Sequence, residues 1–125
     1  MKEHILLVED DVMISKAYRY ALEHAGYEVT CAMDGTEAIE EIKNKKFNLI
    51  LIDLIIPFHN GFEILEWIKK EKIETAPVIV VSNLGQEADK ARCAELGAID
   101  FLVKSDVSLS NMVLRVKSHL ARINV

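Results

Sequence analysis

Ile5-Leu6-Leu7-Val8-Glu9-Asp10-Asp11 is an unbroken apolar run that stops abruptly on three acids. Four apolar residues are too few for an ordinary helix, and none alternates with a polar one. Such a run fits a strand buried on both faces, as in the interior of a parallel sheet. The pattern recurs at Leu49-Ile50-Leu51-Ile52, which ends on Asp53, and at Val78-Ile79-Val80-Val81, which ends on Ser82. Two weaker strands are predicted at Glu28-Val29-Thr30-Cys31-Ala32 and Asp100-Phe101-Leu102-Val103, the latter followed by Lys104. The first of these alternates polar and apolar residues, as an edge strand does.

Helical spacing fills the intervals. Ile14, Ala17, Tyr18, Ala21, Leu22 and Ala25 share one helix face, and Gly26 supplies a stop. Asp34 and Glu37 have the spacing of a capping box ahead of Ala38, Ile39 and Ile42. Ile64, Leu65 and Ile68 form a third stripe. Residues 86–96, closed by Gly97, form a weakly amphipathic fourth, and Leu109, Met112, Val113, Val116 and Leu120 the clearest and last. Strand followed by helix, five times over, predicts an α/β fold: a doubly wound (βα)5 three-layer sandwich of flavodoxin-like type. Its parallel five-stranded sheet is expected in the order 2-1-3-4-5.

The 125 residues suit one domain, 1–125. Half of them are hydrophobic and 28% charged, a globular balance and not a disordered one. Fifteen Lys and Arg against 20 Asp and Glu leave a net charge of −5, which argues against direct nucleic-acid binding by this chain. Cys31 and Cys93 form no CxxC spacing and read as buried thiols of a reducing compartment. No apolar stretch is long enough for a membrane span. The expectation is a cytoplasmic protein.

In open α/β sheets, sites form beyond the carboxyl ends of the strands where the strand order switches. With strands 1, 3, 4 and 5 as neighbours, Glu9-Asp10-Asp11, Asp53, Ser82 and Lys104 converge there. Clustered carboxylates repel one another unless a cation sits among them, and their hard oxygens suit Mg²⁺. A cation, an ammonium and a hydroxyl around one carboxylate can stabilise a phosphoryl group in transit, with Asp53 as nucleophile.

These pieces resemble the receiver domain of bacterial two-component response regulators. The resemblance rests on Leu7-Val8-Glu9-Asp10-Asp11, Asp53-Leu54-Ile55-Ile56-Pro57-Phe58-His59-Asn60-Gly61, Val80-Val81-Ser82 and Gly97-Ala98-Ile99-Asp100-Phe101-Leu102-Val103-Lys104. It covers Ile5 to about Leu120 and shares the strand order 2-1-3-4-5, so the topology above leans on it too. It implies that Asp53 accepts a phosphoryl group from a phosphohistidine on a sensor histidine kinase or phosphotransfer protein. Asp11 would hold Mg²⁺ directly and Asp10 through water, with Asp53 and the backbone carbonyl of Ile55 as further ligands. Lys104 and Ser82 would contact the phosphoryl group. Ser82 and Phe101 would act as the switch, altering the face made by the fourth helix, fifth strand and fifth helix. Slow self-dephosphorylation, a switch rather than an enzyme with an external substrate, and a downstream protein or separate effector domain follow. So does a homodimer on phosphorylation, since Asp100 and Arg115 match positions used in dimer salt bridges, although Asn111 lacks the expected acid.

Three positions depart from the family pattern. Ser105 stands where a proline usually follows the lysine. A cis bond before a non-proline residue costs about 3–4 kcal/mol, so the Lys104–Ser105 bond is expected to be trans and its loop rearranged. Ile55 and Leu84 are apolar at the positions that influence acyl phosphate lifetime, which predicts slow hydrolysis. Phe101 lacks a tyrosine hydroxyl.

Simpler roles compete with these. Asp10 and Asp11 could cap a helix, Asp53 a loop, and Ser82 and Lys104 could be ordinary strand-end residues. His4, His24, His59 and His119 have no metal spacing and read as surface or packing residues. Cys31 reads as core, Trp67 as partly exposed packing and Phe58 as a solvent-exposed contact near the acceptor. An aspartate-nucleophile phosphatase would carry its nucleophile after strand 1, with a second Asp two positions on. A flavodoxin would carry a Ser/Thr-rich phosphate loop where Glu9-Asp10-Asp11 stands. A partner-binding pseudo-receiver would not need the intact acids and Lys104. If 1–125 is the whole protein, its output is protein contact; in a longer chain, a linker would follow about Leu120.

Overall fold

A computed structural model describes residues 2–123. Five strands alternate with five helices: β1 (His4–Val8), α1 (Val12–His24), β2 (Glu28–Ala32), α2 (Gly35–Asn44), β3 (Leu49–Ile52), α3 (Gly61–Lys70), β4 (Val78–Ser82), α4 (Glu87–Glu95), β5 (Asp100–Val103) and α5 (Leu109–Ile123). The strands form one parallel sheet in the order β2-β1-β3-β4-β5. The topology is the expected one, with β2 at an edge.

Two-residue alternation along each strand builds two cores. Ile5, Leu7, Val29, Leu49, Leu51, Ile79, Val81 and Leu102 face α1 and α5, where Tyr18, Leu22, Met112, Val116 and Leu120 meet them. Leu6, Val8, Ala32, Ile50, Ile52, Val78 and Val80 face α2, α3 and α4, represented by Ala38, Ile42, Ile64, Leu65 and Cys93. Register aligns Val8, Ile52, Val80 and Phe101 across four strands. The uninterrupted apolar runs are therefore explained by burial on both sides. Cys93 is buried, but Cys31 is only half-buried on the edge strand, so the expectation of two buried thiols is corrected there.

The helix ends follow local chemistry. Asp11 caps α1, and Gly26 beyond its end takes φ +103°, where a Cβ would be strained. Asp34 Oδ1 accepts the Glu37 N–H at 2.8 Å, but the reciprocal capping box forms elsewhere, between Asn60 and Glu63 at the start of α3. The expected box at Asp34 is thus one-sided. α4 is the least embedded helix: it buries only Cys93, and Gln86 gives its N-terminus no side-chain cap. Among the described residues, no helix is long and apolar enough to cross a membrane.

Candidate functional site

β1, β3, β4 and β5 all point their carboxyl ends at one edge of the sheet, and the residues that follow them meet there. Glu9 continues β1 by donating its N–H to Ala32 O, and Asp53 continues β3 by donating to Val8 O. Lys104 continues β5 by donating to Ser82 O at 3.1 Å. Each functional side chain thus leaves from the last rung of a ladder, on backbone that the sheet holds still.

Glu9 and Asp53 are buried, at 2% and 6% exposure, whereas Asp10 is exposed. Lys104 reaches between the two buried acids. Its Nζ lies 2.6 Å from Asp53 Oδ2 and forms an ion pair with Glu9 Oε1. Asp53 Oδ1 has a longer contact, accepting the Ile55 N–H at 3.2 Å, which leaves it the freer oxygen. Carboxylate oxygens of Glu9, Asp10 and Asp53 all lie within 4.8 Å of one another. That spread is close to the span of two Mg–O bonds, about 4.2 Å, so a hard divalent cation fits this donor set.

The charges shift accordingly. Burial pushes the Glu9 carboxyl above its usual range, against the opposing pull of Lys104 and the Asp11 amide. Burial alone would depress Lys104, but its hydrogen bonds to Asp53 and Glu9 and their charges raise it, keeping the ammonium charged. Removing one partner would leave a buried charge uncompensated.

One expectation is corrected. The sequence reading puts Asp10 and Asp11 together as the cation-binding pair, but Asp11 faces away. Its Oδ1 accepts the N–H groups of Met13 and Ile14, at 2.9 and 3.0 Å, as the N-cap of α1. Glu9 stands in its place, with Oε2 accepting the Asp11 N–H at 3.0 Å. The reason is the length of the acidic run: three acids span the exit from β1, and only the third reaches the helix start. The missed signal was Lys104, whose pairing requires an acid one residue beyond Val8.

The other residues lie where the strand ends put them. Ser82 is fully buried, and its Oγ accepts the Leu84 N–H at 3.3 Å. Phe101 is half-buried and packs on the α2–α4 side. Ile55 is exposed, as is Phe58, which takes φ +72°, an unusual conformation for a bulky residue. Gly61 lies so close to β3 that a Cβ would sit 2.6 Å from Asp53 O. The Lys104–Ser105 bond is trans as expected, there being no cis bonds among the described residues. Asp100 and Arg115, read as dimer contacts, pair within the chain: Arg115 Nη2 is 2.6 Å from Asp100 Oδ1, and His119 Nε2 is 2.8 Å from Oδ2. His119 is accordingly a structural partner on α5, and His4 packs on Phe47 and contacts Thr30 Oγ1 at 2.6 Å.

Comparison with known proteins agrees with this fold. The family model described as the response regulator receiver domain matches residues 5–117. The transcriptional regulatory protein CrdR of Helicobacter pylori is 38% identical over 117 residues, covering 94% of this chain and 54% of that protein. The alkaline phosphatase synthesis transcriptional regulatory protein PhoP of Bacillus subtilis is 34% identical over 122 residues, covering 98% and 50%. The chain therefore spans about half the length of these two relatives. The receiver domain of the Francisella response regulator 1452 superposes with a TM-score of 0.90 at 30% identity, covering 98% of this chain and 99% of that one. The chain belongs to the response regulator receiver domain family.

Proposed function

We propose that Asp53 accepts a phosphoryl group from a phosphohistidine of a sensor histidine kinase or phosphotransfer protein, and that the acyl phosphate switches the α4–β5–α5 face. The observation that carries this reading is a buried carboxylate bonded to a partly buried ammonium, with two further acids beside it. Asp53 Oδ1 attacks phosphorus, the P–N bond breaks, and the imidazole leaves with the bonding pair. Lys104 then exchanges part of its pairing with Asp53 for a phosphoryl oxygen. Ser82 Oγ leaves the Leu84 amide for another phosphoryl oxygen, and Phe101 repacks beside it.

Asp10 and Asp53 would hold Mg²⁺, with Glu9 alongside and the Ile55 carbonyl as a backbone ligand. When bound, Mg²⁺ neutralises the charge that develops on the transferring group. Asp11 is committed to its cap and has no place in this set.

The protein is then a phosphorylation switch that catalyses only its own modification, and it works in the cytoplasm where kinase and phosphodonor meet. Output passes to a partner protein or to an effector domain joined to it, as in relatives of twice this length that are transcriptional regulators. The test is phosphoryl uptake from acetyl phosphate with Mg²⁺, which should occur in the unsubstituted chain and be lost in Asp53→Asn.

A further inference from the structure

Lys104 works only if its ammonium stays between Glu9 and Asp53, and its backbone leaves from the last rung of an edge strand. β5 has β4 as its single neighbour in the sheet. The last backbone rung is Lys104 N–H to Ser82 O at 3.1 Å. One residue further, the Ser105 N–H would point away from any strand. Instead it donates to Asn83 Oδ1 at 3.0 Å. A side-chain carbonyl thus extends the ladder by one rung past the end of both strands. The loop then turns at once, Asp106 N–H and Val107 N–H both donating to Val103 O, at 2.9 and 3.1 Å.

The placement of this bond is specific. It joins the residue after Ser82, at the end of β4, to the residue after Lys104, whose ammonium pairs with Asp53. Consecutive side chains at the exit from β4 act in different directions: Ser82 Oγ bonds the Leu84 amide within its own loop, while Asn83, the next residue, reaches across to the lysine's loop. Asn83 and Ser105 are both exposed, so water competes for the bond and its value to global stability is small. What it fixes is direction, the path of the backbone from which Lys104 extends.

We propose that Asn83 is a positioning residue for Lys104, clasping the loop after β5 to the end of β4 so that the ammonium meets Asp53. The proposal deepens the phosphoacceptor reading and rests on it. It requires the Ser105 N–H and not its hydroxyl, and the Asn83 oxygen and not its amide nitrogen.

The experiment measures the rate of phosphoryl uptake from acetyl phosphate with Mg²⁺, by intact mass across a range of donor concentrations. Asn83→Ala should lower the maximal rate about fivefold, the worth of one aligned hydrogen bond, and leave the half-saturating donor concentration unchanged. Asn83→Asp, which keeps the acceptor oxygen, and Ser105→Ala, which keeps the N–H, should both retain most of the rate. In a Lys104→Ala background, Asn83→Ala should slow uptake no further, because the two act through one group. An unchanged rate in Asn83→Ala, or the same fivefold loss on top of Lys104→Ala, overturns the proposal. No uptake by the unsubstituted chain overturns the acceptor reading itself, and the clasp with it.

Discussion

Lys104 is the residue on which the site turns, because it neutralises two carboxylates that have little access to water. Its positive end explains how Glu9 and Asp53 can be buried side by side, which the acids alone could not sustain. Under the phosphoacceptor reading, Ile55 and Leu84 put apolar side chains at the two positions that influence acyl phosphate lifetime. Replacing Ile55 by Asn and Leu84 by Glu should shorten the acyl phosphate lifetime by about tenfold, the order of one positioned polar group, as followed by loss of phosphate-dependent mass. An unchanged lifetime would remove these positions from the account. At the other edge of β5, Asp100 is partly buried. Burial would raise its pKa, but hydrogen bonds from His119 and Arg115 more than offset that and hold it below the usual 3.8. A depressed carboxyl stabilises the folded chain above the ordinary aspartate range and loses that contribution as pH falls through the folded value. Asp100→Asn should therefore cost about 1–2 kcal/mol near neutrality, and the gap to the unsubstituted chain in urea unfolding should close below pH 3.8.

Among the elements, α3 and α4 carry the acceptor's surroundings outward. Gly61 opens α3 directly against the backbone of Asp53 and Leu54, with its N–H bonded to Leu54 O at 3.0 Å. Gly61→Ala forces that contact apart and should destabilise the fold by about 3 kcal/mol in chemical denaturation, whereas Gly26, with open space around it, pays only for its positive φ. α4 buries a single side chain, so its attachment depends on polar contacts with α3. Arg92 Nη2 lies 2.7 Å from Glu66 Oε1 and its guanidinium 4.2 Å from the Phe62 ring centre, while Lys69 Nζ donates to Glu95 O at 2.7 Å. Such exposed contacts are individually weak, and a weakly held helix suits an element that the proposed switch would move. Arg92→Ala should speed amide exchange across α4 by about fivefold and leave the strands unaffected. Equal exchange in the two proteins would mean that α4 is held by its sheet contacts alone.

For the whole molecule, the strands were the most legible feature. Apolar runs without alternation mean burial on both faces, and that single inference carries the parallel sheet, its two cores and the helices between. β2 and β5, with mixed patterns, were still legible because edge positions relax the burial requirement. Convergence of Asp53 and Lys104 followed once the strand order was set. Asp11 did not follow, since sequence does not say which of three consecutive acids turns into a cap and which stays with the strand. The Asn83–Ser105 bond was equally hidden, because it depends on where two loops come to rest beyond the last rung. The pairing of Asp100 with Arg115 within one chain was hidden as well, because it depends on the turn of α5 over β5. The central claim is that this set of groups exists to place a phosphoryl group on Asp53. Its most direct measurement is the intact mass after incubation with acetyl phosphate and Mg²⁺. The account predicts a gain of one phosphoryl group in the unsubstituted chain and none in Asp53→Asn. No gain in the first, or an equal gain in both, would contradict it.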